Sequence, residues 1–475
     1  MQRKTKIIAT LGPASASRET ISRMVGAGLD VARLNFSHGT YESHRQWTSW
    51  VREAAAEHGR AVAVLQDIQG PRIRVGTFPG GSVDLSDGQR ITLLDGNGLG
   101  DEHRVYVQHL GVADLSAGDR ILLADGLIEV QVIDRDADGV SVIVREGGVL
   151  GDHKGAAFPG VHLGLPAITE KDRQDLAFGR EIGVDLVAAS FVESGDDIAA
   201  VREIVGQTPV IAKIERVAAY ANLPHILEAA DGAMVARGDL GVELGFEPLP
   251  RVQKEIIGVT NQAGRISITA TEMLESMTTS PRPTRAEVTD VANAIIDGSD
   301  AVMLSAETAI GKYPVRTIEV MAAICCEAES SPTYPAGDHV EFVGPRASFA
   351  SAIAQAVADT ANALDLATVV AFTESGSTAR LVSKYRPRAR IVGFTPNEAT
   401  YNRMAIMWGV TPVRFPRVDS TDAMIFTAEE MLREMGVVED REPIAMAAGI
   451  PPNVQASTNL LKLHVVGDGA VGMPR

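Results

Sequence analysis

Eight short apolar runs, each followed by a stretch with helical spacing, recur along this chain of 475 residues. The runs begin at Lys6, Leu29, Ala61, Val184, Pro209, Gly232, Ile266 and Asp300. Near-continuous apolar strands that alternate with helices are typical of a parallel sheet covered by helices. Eight such units predict an α/β fold with a closed (β/α)8 barrel of the TIM type. Beyond this alternation we find no internal repeat.

A long interruption separates the third run from the fourth. The segment "DRILLADGLIEVQVIDRDADGVSVIVREGG" alternates apolar and polar residues and contains the turn signals Asp125-Gly126 and Asp138-Gly139. This pattern indicates antiparallel strands joined by hairpins. We therefore predict a small β-barrel lid domain over residues 70–162, inserted at the rim of a catalytic barrel that comprises residues 1–69 and 163–335.

The character of the chain changes after the eighth run, at "SSPTYPAGDHVEFVGPRAS", which contains Pro and Gly and shows no clear periodicity. Five further apolar runs alternate with helical stretches beyond this segment. They are "ATVVAFTES", "ARIVGFTP", "VTPVRF", "PIAMAAGI" and "LKLHVV". This alternation predicts a separate open α/β domain over residues 336–475.

Composition and charge exclude several classes of protein. The formal net charge of -17 argues against a nucleic-acid or anionic-membrane binder, because either partner requires a basic face. The start "MQRKTKIIATLGPAS" lacks the apolar core of a signal peptide, and no run is long enough to span a membrane. The only cysteines, Cys325 and Cys326, are adjacent and pair badly as a disulfide. We expect reduced thiols and a cytoplasmic protein.

Polar side chains follow five of the eight predicted strands, at the end where barrel enzymes build their active sites. In "PVIAKIER", Lys213 and Glu215 point to the same face of a strand because side chains alternate. Glu215 and Asp239 are the kind of ligand that magnesium prefers, and Lys213 would then face a bound anion. Lys213 and Glu215 could instead form a purely structural ion pair. The convergence of polar groups at one rim favours an active site.

Several long motifs of this chain resemble the pyruvate kinase family. They are "VARLNFSHGT", "KIE", "MVARGDLGVE", "TATEMLESM", "PRPTRAEVTDVANAIIDGSDAVMLSAETA" and "NLLKLHVVG", and the resemblance covers essentially the whole chain. It implies an enzyme that transfers the phosphoryl group of phosphoenolpyruvate to ADP, giving pyruvate and ATP. It also implies a homotetramer with a possible phosphorylated effector.

The resemblance implies roles for individual residues in binding phosphoenolpyruvate. It assigns Glu215 and Asp239 to Mg²⁺ or Mn²⁺, Lys213 to the transferring phosphoryl group, and Arg33 to the substrate phosphate. It assigns the backbone N–H groups of Gly238 and Asp239 to the substrate carboxylate. The Thr271 hydroxyl would hold the same carboxylate and take part in protonating the enolate. The nucleotide side is implied to comprise Asn35, Phe36, Ser37, His38, Arg74 and Lys154.

The third-strand motif departs from the pattern of family members that need potassium. Those members have Asp-Thr-Lys-Gly-Pro-Glu, whereas this chain has "DIQGPR" and ends on Arg72. The implied potassium ligands Asn35, Ser37, Asp67 and Ile68 remain, but Arg72 brings a fixed positive charge to their neighbourhood. A potassium site is therefore doubtful, and we hypothesise that catalysis depends weakly or not at all on potassium.

A polar loop of the C-terminal domain resembles the family's sugar-phosphate effector loop. It contains Thr373, Ser375, Gly376, Ser377 and Thr378 between a predicted strand and a predicted helix. Hydroxyl and N–H groups at a helix N-terminus can bind an anion, but Glu374 opposes one. Ordinary helix capping explains the loop equally well. A monophosphate ligand suits it as well as fructose 1,6-bisphosphate does.

Two other functions remain open at this stage. Metal-dependent lyases or aldolases that act on pyruvate or phosphoenolpyruvate also hold magnesium on a Glu and an Asp. A phosphometabolite sensor could keep the fold without catalysis. The inserted domain, together with Arg74, Lys154 and Lys213, argues against the lyase, and the intact rim residues argue against the sensor.

The hypothesis on Arg72 gives a direct prediction about salts. Turnover measured in potassium chloride and in tetramethylammonium chloride should be similar, because the guanidinium of Arg72 replaces the charge of a bound cation. A loss of about a hundredfold or more without potassium would contradict it.

Overall fold

The computed structural model describes residues 3–161, 163–331, 334, 348–451 and 457–468. Its central element is a closed barrel of eight parallel strands, as the apolar runs predict. The strands are Lys6–Thr10, Val31–Asn35, Ala63–Asp67, Leu186–Ala189, Val210–Ile214, Gly232–Ala236, Ile266–Ala270 and Ala301–Leu304. They follow one another in chain order, and the first strand closes the barrel by pairing with the eighth. Most of the predicted linker lies outside the described residues.

Helices surround the barrel and follow its strands. They are Arg18–Ala27, Tyr41–Glu57, Glu170–Ile182, Gly195–Val205, Val217–Ala221, Leu223–Ala229, Arg237–Leu244, Leu249–Gln262, Arg285–Ile296, Ala306–Ala309 and Pro314–Ser330. Four of these helices begin at capping boxes, whose N-cap residues are Thr40, Thr169, Ser194 and Thr284. A capping box satisfies two backbone groups at the start of a helix and so fixes where it leaves the preceding loop. Both cysteines lie in the last helix as free thiols.

Alternate residues of each barrel strand face the barrel interior. Ile8, Leu65 and Ile211 belong to an apolar cluster inside the barrel that continues into the C-terminal domain. Their neighbours in sequence pack outward against the helices. Because the side-chain period of a strand is two, Asp67 and Lys213 lie on the same inward face as Leu65 and Ile211. This alternation brings the polar residues to one mouth of the barrel.

Four aspartates form a repeat at the opposite end of the barrel, which the sequence analysis missed. Each directly precedes an even-numbered strand, and its carboxylate accepts a backbone N–H from the odd-numbered strand beside it. The pairs are Asp30 with Ile7 (2.8 Å), Asp185 with Val64 (2.7 Å), Asp231 with Val210 (2.9 Å) and Asp300 with Ser267 (2.8 Å). The barrel therefore repeats in units of two strands.

Cations compensate each of these four carboxylates. Three of the aspartates pair with arginines of the barrel domain. These ion pairs are Asp30 with Arg3 (2.7 Å) and Arg60 (3.2 Å), Asp185 with Arg52 (2.7 Å), and Asp231 with Arg202 (2.6 Å) and Arg265 (3.8 Å). The fourth, Asp300, pairs with Lys384 and with Arg386 (3.2 Å), which belong to the C-terminal domain. That domain thus supplies the counter-charge for the last aspartate of the barrel.

The inserted domain consists mainly of antiparallel strands, as its alternating pattern predicts, although Arg90–Asp95 and Arg104–Val107 pair in parallel. The strands are Ser82–Leu85, Arg90–Asp95, Arg104–Val107, Arg120–Leu123, Ile128–Asp136, Gly139–Glu146, Gly148–Gly151 and Ala156–Ala157. They form a six-stranded sheet and a two-stranded sheet. Asp125 and Gly126 adopt positive φ values of 58° and 92° in one turn, and Asp136 pairs with Gly139 across the other hairpin. Both Asp-Gly signals therefore mark hairpins.

The C-terminal domain is the predicted open α/β structure. Its strands are Thr368–Phe372, Arg390–Thr395, Val410–Arg414, Pro443–Ala448 and Leu460–Val465, and its α-helices are Phe349–Ala363, Ser377–Lys384, Glu398–Arg403 and Thr421–Glu434. Four strands are parallel, and the last strand pairs antiparallel with the fourth. In the described part of the chain, no helix has the length and apolar character needed to cross a membrane.

The pairing of Asp300 predicts that Lys384→Met destabilises the protein. The Lys384 and Asp300 side chains are 2% and 1% exposed, so the substitution leaves a buried carboxylate with one cation fewer. We expect the free energy of unfolding, measured in guanidinium chloride, to fall by about 3 to 5 kcal/mol.

Arg45→Met is the matched control for this prediction. Arg45 pairs with Glu181 at 2.6 Å, but both side chains lie at the surface, where they are 49% and 61% exposed. Loss of an exposed pair should change the free energy of unfolding by less than about 1 kcal/mol. Equal effects of the two substitutions would show that the buried pair is not a special contributor to stability.

Candidate active site

Most of the rim residues singled out in the sequence line one small cavity at the mouth of the barrel. The cavity has a volume of about 120 Å³. Its lining includes Arg33, Asn35, Ser37, Asp67, Ile68, Arg72, Lys213, Glu215, Asp239 and Thr271. The C-terminal ends of the strands meet there, as in other barrels with this topology. The convergence expected from the sequence is therefore present in the structure.

Two cations and two carboxylates form a connected network in the wall of this cavity. Arg33 Nε donates to Asp67 Oδ2 at 2.7 Å. Lys213 Nζ lies 2.7 Å from Glu215 Oε1 and 3.3 Å from Asp67 Oδ1. Buried charges are tolerated only when they are paired, and each of these four groups has a partner of opposite sign.

The pKa values in the network follow from burial and from the neighbouring charges. Burial alone would raise the pKa of Asp67, but Lys213 and Arg33 hold it below its usual value. Burial likewise opposes the charged form of Lys213, yet Asp67 and Glu215 raise its pKa overall. Burial raises the pKa of Glu215 to about 7, because Lys213 compensates it incompletely and Asp239 adds repulsion. The network is therefore deficient in positive charge near Glu215 and Asp239.

This donor set fits a divalent cation. Glu215 and Asp239 offer carboxylate oxygens at one cavity, and Mg²⁺ is commonly held by one or two carboxylates with substrate oxygens and water. Within the described residues, no group of three or more His, Cys, Asp and Glu side chains could hold a metal ion. A site completed by the substrate is consistent with both observations.

Thr271 lies at the end of the seventh strand in an unusual backbone conformation. Its φ is 68°, in the left-handed region that non-glycine residues rarely adopt. The Thr271 hydroxyl accepts a hydrogen bond from the backbone N–H of Gly238 at 2.9 Å. Arg237 Nη2 donates to the carbonyl oxygen of Thr271 at 2.6 Å. Asp290 in turn pairs with Arg237 at 2.7 Å. These contacts hold the hydroxyl beside the start of the helix that carries Asp239.

The residues implied to bind the nucleotide do not all face the cavity. Asn35 and Ser37 line it, and Asn35 Oδ1 accepts the N–H of Ser37 at 3.1 Å. The buried ring of Phe36 stacks on His44 with 4.2 Å between ring centroids, so that this ring is part of the core. His38 is exposed beside them.

Arg74 and Lys154 belong to the inserted domain. They line neither this cavity nor a larger one between the barrel rim and the inserted domain. Arg74 Nη1 donates to the carbonyl oxygen of His153 at 2.9 Å. Both residues are at least partly exposed, and Gly155, next to Lys154, does line the larger cavity. The structure places them near the cleft without bringing them together with Lys213.

A larger cavity of about 330 Å³ lies between the barrel rim and the inserted domain. Its lining includes Glu215, Arg216, Gly238, Asp239, Glu243 and Phe246 from the barrel, and Leu122, Asp125, Gly126 and Phe158 from the inserted domain. Arg72 lines both cavities and pairs with Asp125 at 3.6 Å. The two cavities therefore meet at the residues expected to hold the metal.

Four residues of the site were missed in the sequence analysis. Ser190 accepts a hydrogen bond from Lys213 Nζ at 2.7 Å, and the N–H of Phe191 donates to Glu215 Oε2 at 2.6 Å. Arg216 and Glu243 line the larger cavity. Ser190 and Phe191 end the apolar run that begins at Val184, and Arg216 and Glu243 end the motifs "PVIAKIER" and "MVARGDLGVE". The sequence therefore shows that they lie near the rim but not what they contact. Their contacts depend on loop conformation, for which the sequence held no signal.

The polar loop of the C-terminal domain lies at the start of helix Ser377–Lys384. Gly376 is the N-cap with a φ of 91°, and its N–H donates to the Thr373 hydroxyl at 2.9 Å. The hydroxyl groups of Ser375 and Ser377 lie 3.3 Å apart. The five predicted residues therefore form one compact turn, with Thr378 hydrogen-bonded to Thr458.

Glu374, which should repel an anion, is partly compensated in the structure. Its carboxylate accepts a hydrogen bond from Asn397 Nδ2 at 2.8 Å and pairs with Arg417 at 3.4 Å. These contacts turn the carboxylate toward the neighbouring loop. The repulsion of an anion by Glu374, which the sequence predicts, is therefore reduced.

Glu243 predicts a pH dependence of stability. Burial raises the pKa of Glu243 to about 7, against an ordinary value of 4.5. As the pH rises from 4.5 toward 7, the unfolded chain releases this proton while the folded protein keeps it, so that folding becomes less favourable. Relative to Glu243→Gln, the wild-type protein should lose up to about 3 kcal/mol of unfolding free energy between acid and about pH 8. The measurement is the free energy of unfolding in denaturant, taken for both proteins across this pH range. Parallel pH profiles of the two proteins would contradict the prediction.

Known protein families and curated proteins resemble this chain over most of its length. The family model described as "Pyruvate kinase, barrel domain" matches residues 2–318, and "Pyruvate kinase, alpha/beta domain" matches residues 351–464. "Pyruvate kinase" of Geobacillus stearothermophilus is 44% identical over 481 residues, which cover 98% of this chain and 81% of that protein. "Pyruvate kinase" of Staphylococcus aureus (strain USA300) is 43% identical over 476 residues with the same coverage. The chain belongs to the pyruvate kinase family.

Proposed function

We propose that this chain is a phosphotransferase that moves the phosphoryl group of phosphoenolpyruvate to ADP, giving pyruvate and ATP, in the last step of glycolysis. The observation that carries the proposal is the placement of Lys213. Its side chain is only 12% exposed and lines the rim cavity, and its ammonium group lies between two carboxylates. Phosphoryl transfer depends on positioned cations at the developing charge more than on covalent chemistry, and Lys213 is such a cation.

Arg33 and Lys213 would bind the phosphate from two sides of the cavity. The planar guanidinium of Arg33 matches phosphate geometry, and its bond to Asp67 holds it in orientation. Lys213 is oriented by Ser190 and Glu215, and its longer contact with Asp67 at 3.3 Å is the one that an anion in the cavity would replace. Asp67 and Glu215 raise the pKa of Lys213, so that its ammonium group keeps its charge at neutral pH.

Glu215 and Asp239 would hold Mg²⁺ or Mn²⁺. When bound, the metal ion would neutralise negative charge on the phosphoryl group and on the substrate carboxylate. The Gly238 and Asp239 N–H groups lie at the N-terminus of helix Arg237–Leu244, where an anion is favoured. Their part would be to hold the carboxylate of phosphoenolpyruvate, for which the Gly238 N–H would exchange its bond to the Thr271 hydroxyl for one to the substrate. The Thr271 hydroxyl would then pass a proton by way of water to the enolate carbon.

For the nucleotide we propose the surface that joins Asn35, Ser37 and His38 to Arg74 and Lys154 of the inserted domain. Because the last two side chains lie outside the cavities, this role requires the inserted domain to move toward the barrel. Arg72 would replace potassium, since its guanidinium lines the cavity together with Asn35, Ser37 and Asp67.

Three further parts of the proposal concern the setting of the enzyme. The turn at Thr373–Thr378 would bind a phosphorylated effector. Its supporting observations are the positive φ of Gly376 and the compensation of Glu374. The free thiols of Cys325 and Cys326 support a cytoplasmic location. A homotetramer follows from the family resemblance alone.

The reaction is tested by a coupled assay for pyruvate. We expect pyruvate to form only when phosphoenolpyruvate, ADP and magnesium are all present. A lyase would release pyruvate without ADP, and a sensor would release none, so that either result would replace the proposed function.

The role of Lys213 is tested by Lys213→Met. The variant keeps the apolar stem but removes the cation, so we expect turnover to fall by at least about a hundredfold with the fold intact by circular dichroism. Lys254→Met is the matched control, because Lys254 is 59% exposed, pairs with Asp297 and lines neither cavity, so that its loss should leave turnover unchanged. Near-normal turnover of Lys213→Met would remove Lys213 from the mechanism.

A further inference from the structure

Two donors hold the carboxylate of Glu215 in place, one on each oxygen. Lys213 Nζ lies 2.7 Å from Oε1, and the backbone N–H of Phe191 donates to Oε2 at 2.6 Å. The Glu215 side chain is 1% exposed, so water does not replace either donor. The orientation of this carboxylate therefore depends on the Phe191 peptide as much as on the lysine.

The Phe191 peptide is held in an unfavourable conformation. Its φ is 55°, in the left-handed region, where a bulky residue is strained and persists only if its surroundings restrain it. One restraint is the contact of the Phe191 ring with Gly70, where an added Cβ would lie 3.0 Å from the ring. A second restraint must act on the other end of this loop.

Arg216 supplies that restraint. Its guanidinium carbon lies 5.3 Å from the centroid of the Phe191 ring, within the range of a cation–π contact. Its Nη1 also donates to Glu193 Oε1 at 2.5 Å, and the arginine side chain is only 13% exposed. One side chain thus contacts both Phe191 and the residue two positions after it.

Glu193 is itself anchored. Its backbone N–H donates to Asp197 Oδ2 at 2.8 Å, which belongs to the capping box of helix Gly195–Val205. Arg216 therefore joins the fifth strand to a fixed point at the start of this helix. The Phe191 peptide lies between the two and has little freedom to rotate.

We propose that Arg216 is a positioning residue for the divalent metal, acting by holding the Phe191 peptide so that its N–H orients Glu215. This inference rests on the proposed function, because Glu215 is a metal ligand only within that proposal. Arg216 needs no contact with phosphoenolpyruvate or the metal in this role. Groups that orient metal ligands typically contribute about 10- to 100-fold to metal affinity.

The experiment measures Mn²⁺ binding directly. Mn²⁺ is titrated into the full-length protein without substrates, and the concentration of free Mn²⁺ is measured by electron paramagnetic resonance. The readout therefore does not depend on turnover. Arg216→Met should raise the dissociation constant by about 10- to 100-fold. Arg216→Lys keeps the charge toward Glu193 but loses the planar contact with the ring, and should lie between Arg216→Met and wild type.

Two control variants separate this effect from a loss of stability and from failure of the proposed function. Arg202→Met removes a comparable arginine at the opposite end of the barrel, where it pairs with Asp231 at 2.6 Å. It should lower the unfolding temperature without changing Mn²⁺ affinity. Glu215→Gln should lose Mn²⁺ binding in any case.

Each outcome decides one point. Wild-type Mn²⁺ affinity in Glu215→Gln would overturn the metal assignment and the inference with it. Lost affinity in Glu215→Gln together with wild-type affinity in Arg216→Met would overturn the inference alone. If Arg216→Met does not fold, Glu193→Gln replaces it, because this substitution removes the charge that pairs with Arg216 at nearly constant volume. Wild-type Mn²⁺ affinity in both Glu193→Gln and Arg216→Lys would then overturn the inference.

Discussion

The constraint on which the whole structure depends is that every charge buried in the barrel must be paired or hydrogen-bonded. Both ends of the barrel meet this constraint, but in different ways. At the base, Asp30, Asp185, Asp231 and Asp300 each accept a backbone N–H from a neighbouring strand and pair with cations. Those carboxylates join strands to each other. At the rim, Asp67 and Glu215 accept from Lys213 and Arg33, whose side chains line a cavity.

The count of charges at the rim explains why the site suits both a dication and a phosphate. Arg33, Lys213 and Arg72 line the cavity with three carboxylates, Asp67, Glu215 and Asp239, but Arg72 is also paired with Asp125 of the inserted domain. The raised pKa of Glu215 is the local sign that the carboxylates are incompletely compensated. A divalent ion would add two positive charges, so that the cavity would attract an anion more strongly with metal than without it. In the proposed reaction, metal and substrate would thus favour each other's binding.

Sequence reasoning succeeded where periodicity sets the outcome. The apolar runs gave all eight barrel strands, and the period of two placed Lys213 and Glu215 on the inward face. It failed where an outcome depends on which elements become neighbours. The aspartates before the even-numbered strands were visible, but their pairing appears only once the strand order is known. Likewise, Phe191 has a positive φ and contacts Arg216 and Gly70, which are distant from it in sequence.

Arg72 connects the charge of the rim to the position of the inserted domain. Its guanidinium lines the cavity with Asp67 and also lies 3.6 Å from Asp125, in a hairpin turn of the inserted domain. A guanidinium on a flexible stem cannot serve both carboxylates fully at once. Moving Asp125 would therefore change how the charge of Arg72 is shared between the inserted domain and the cavity. A freely diffusing potassium ion has no such tether. If Arg72 takes the place of potassium, as proposed, the position of the inserted domain influences the charge in the cavity.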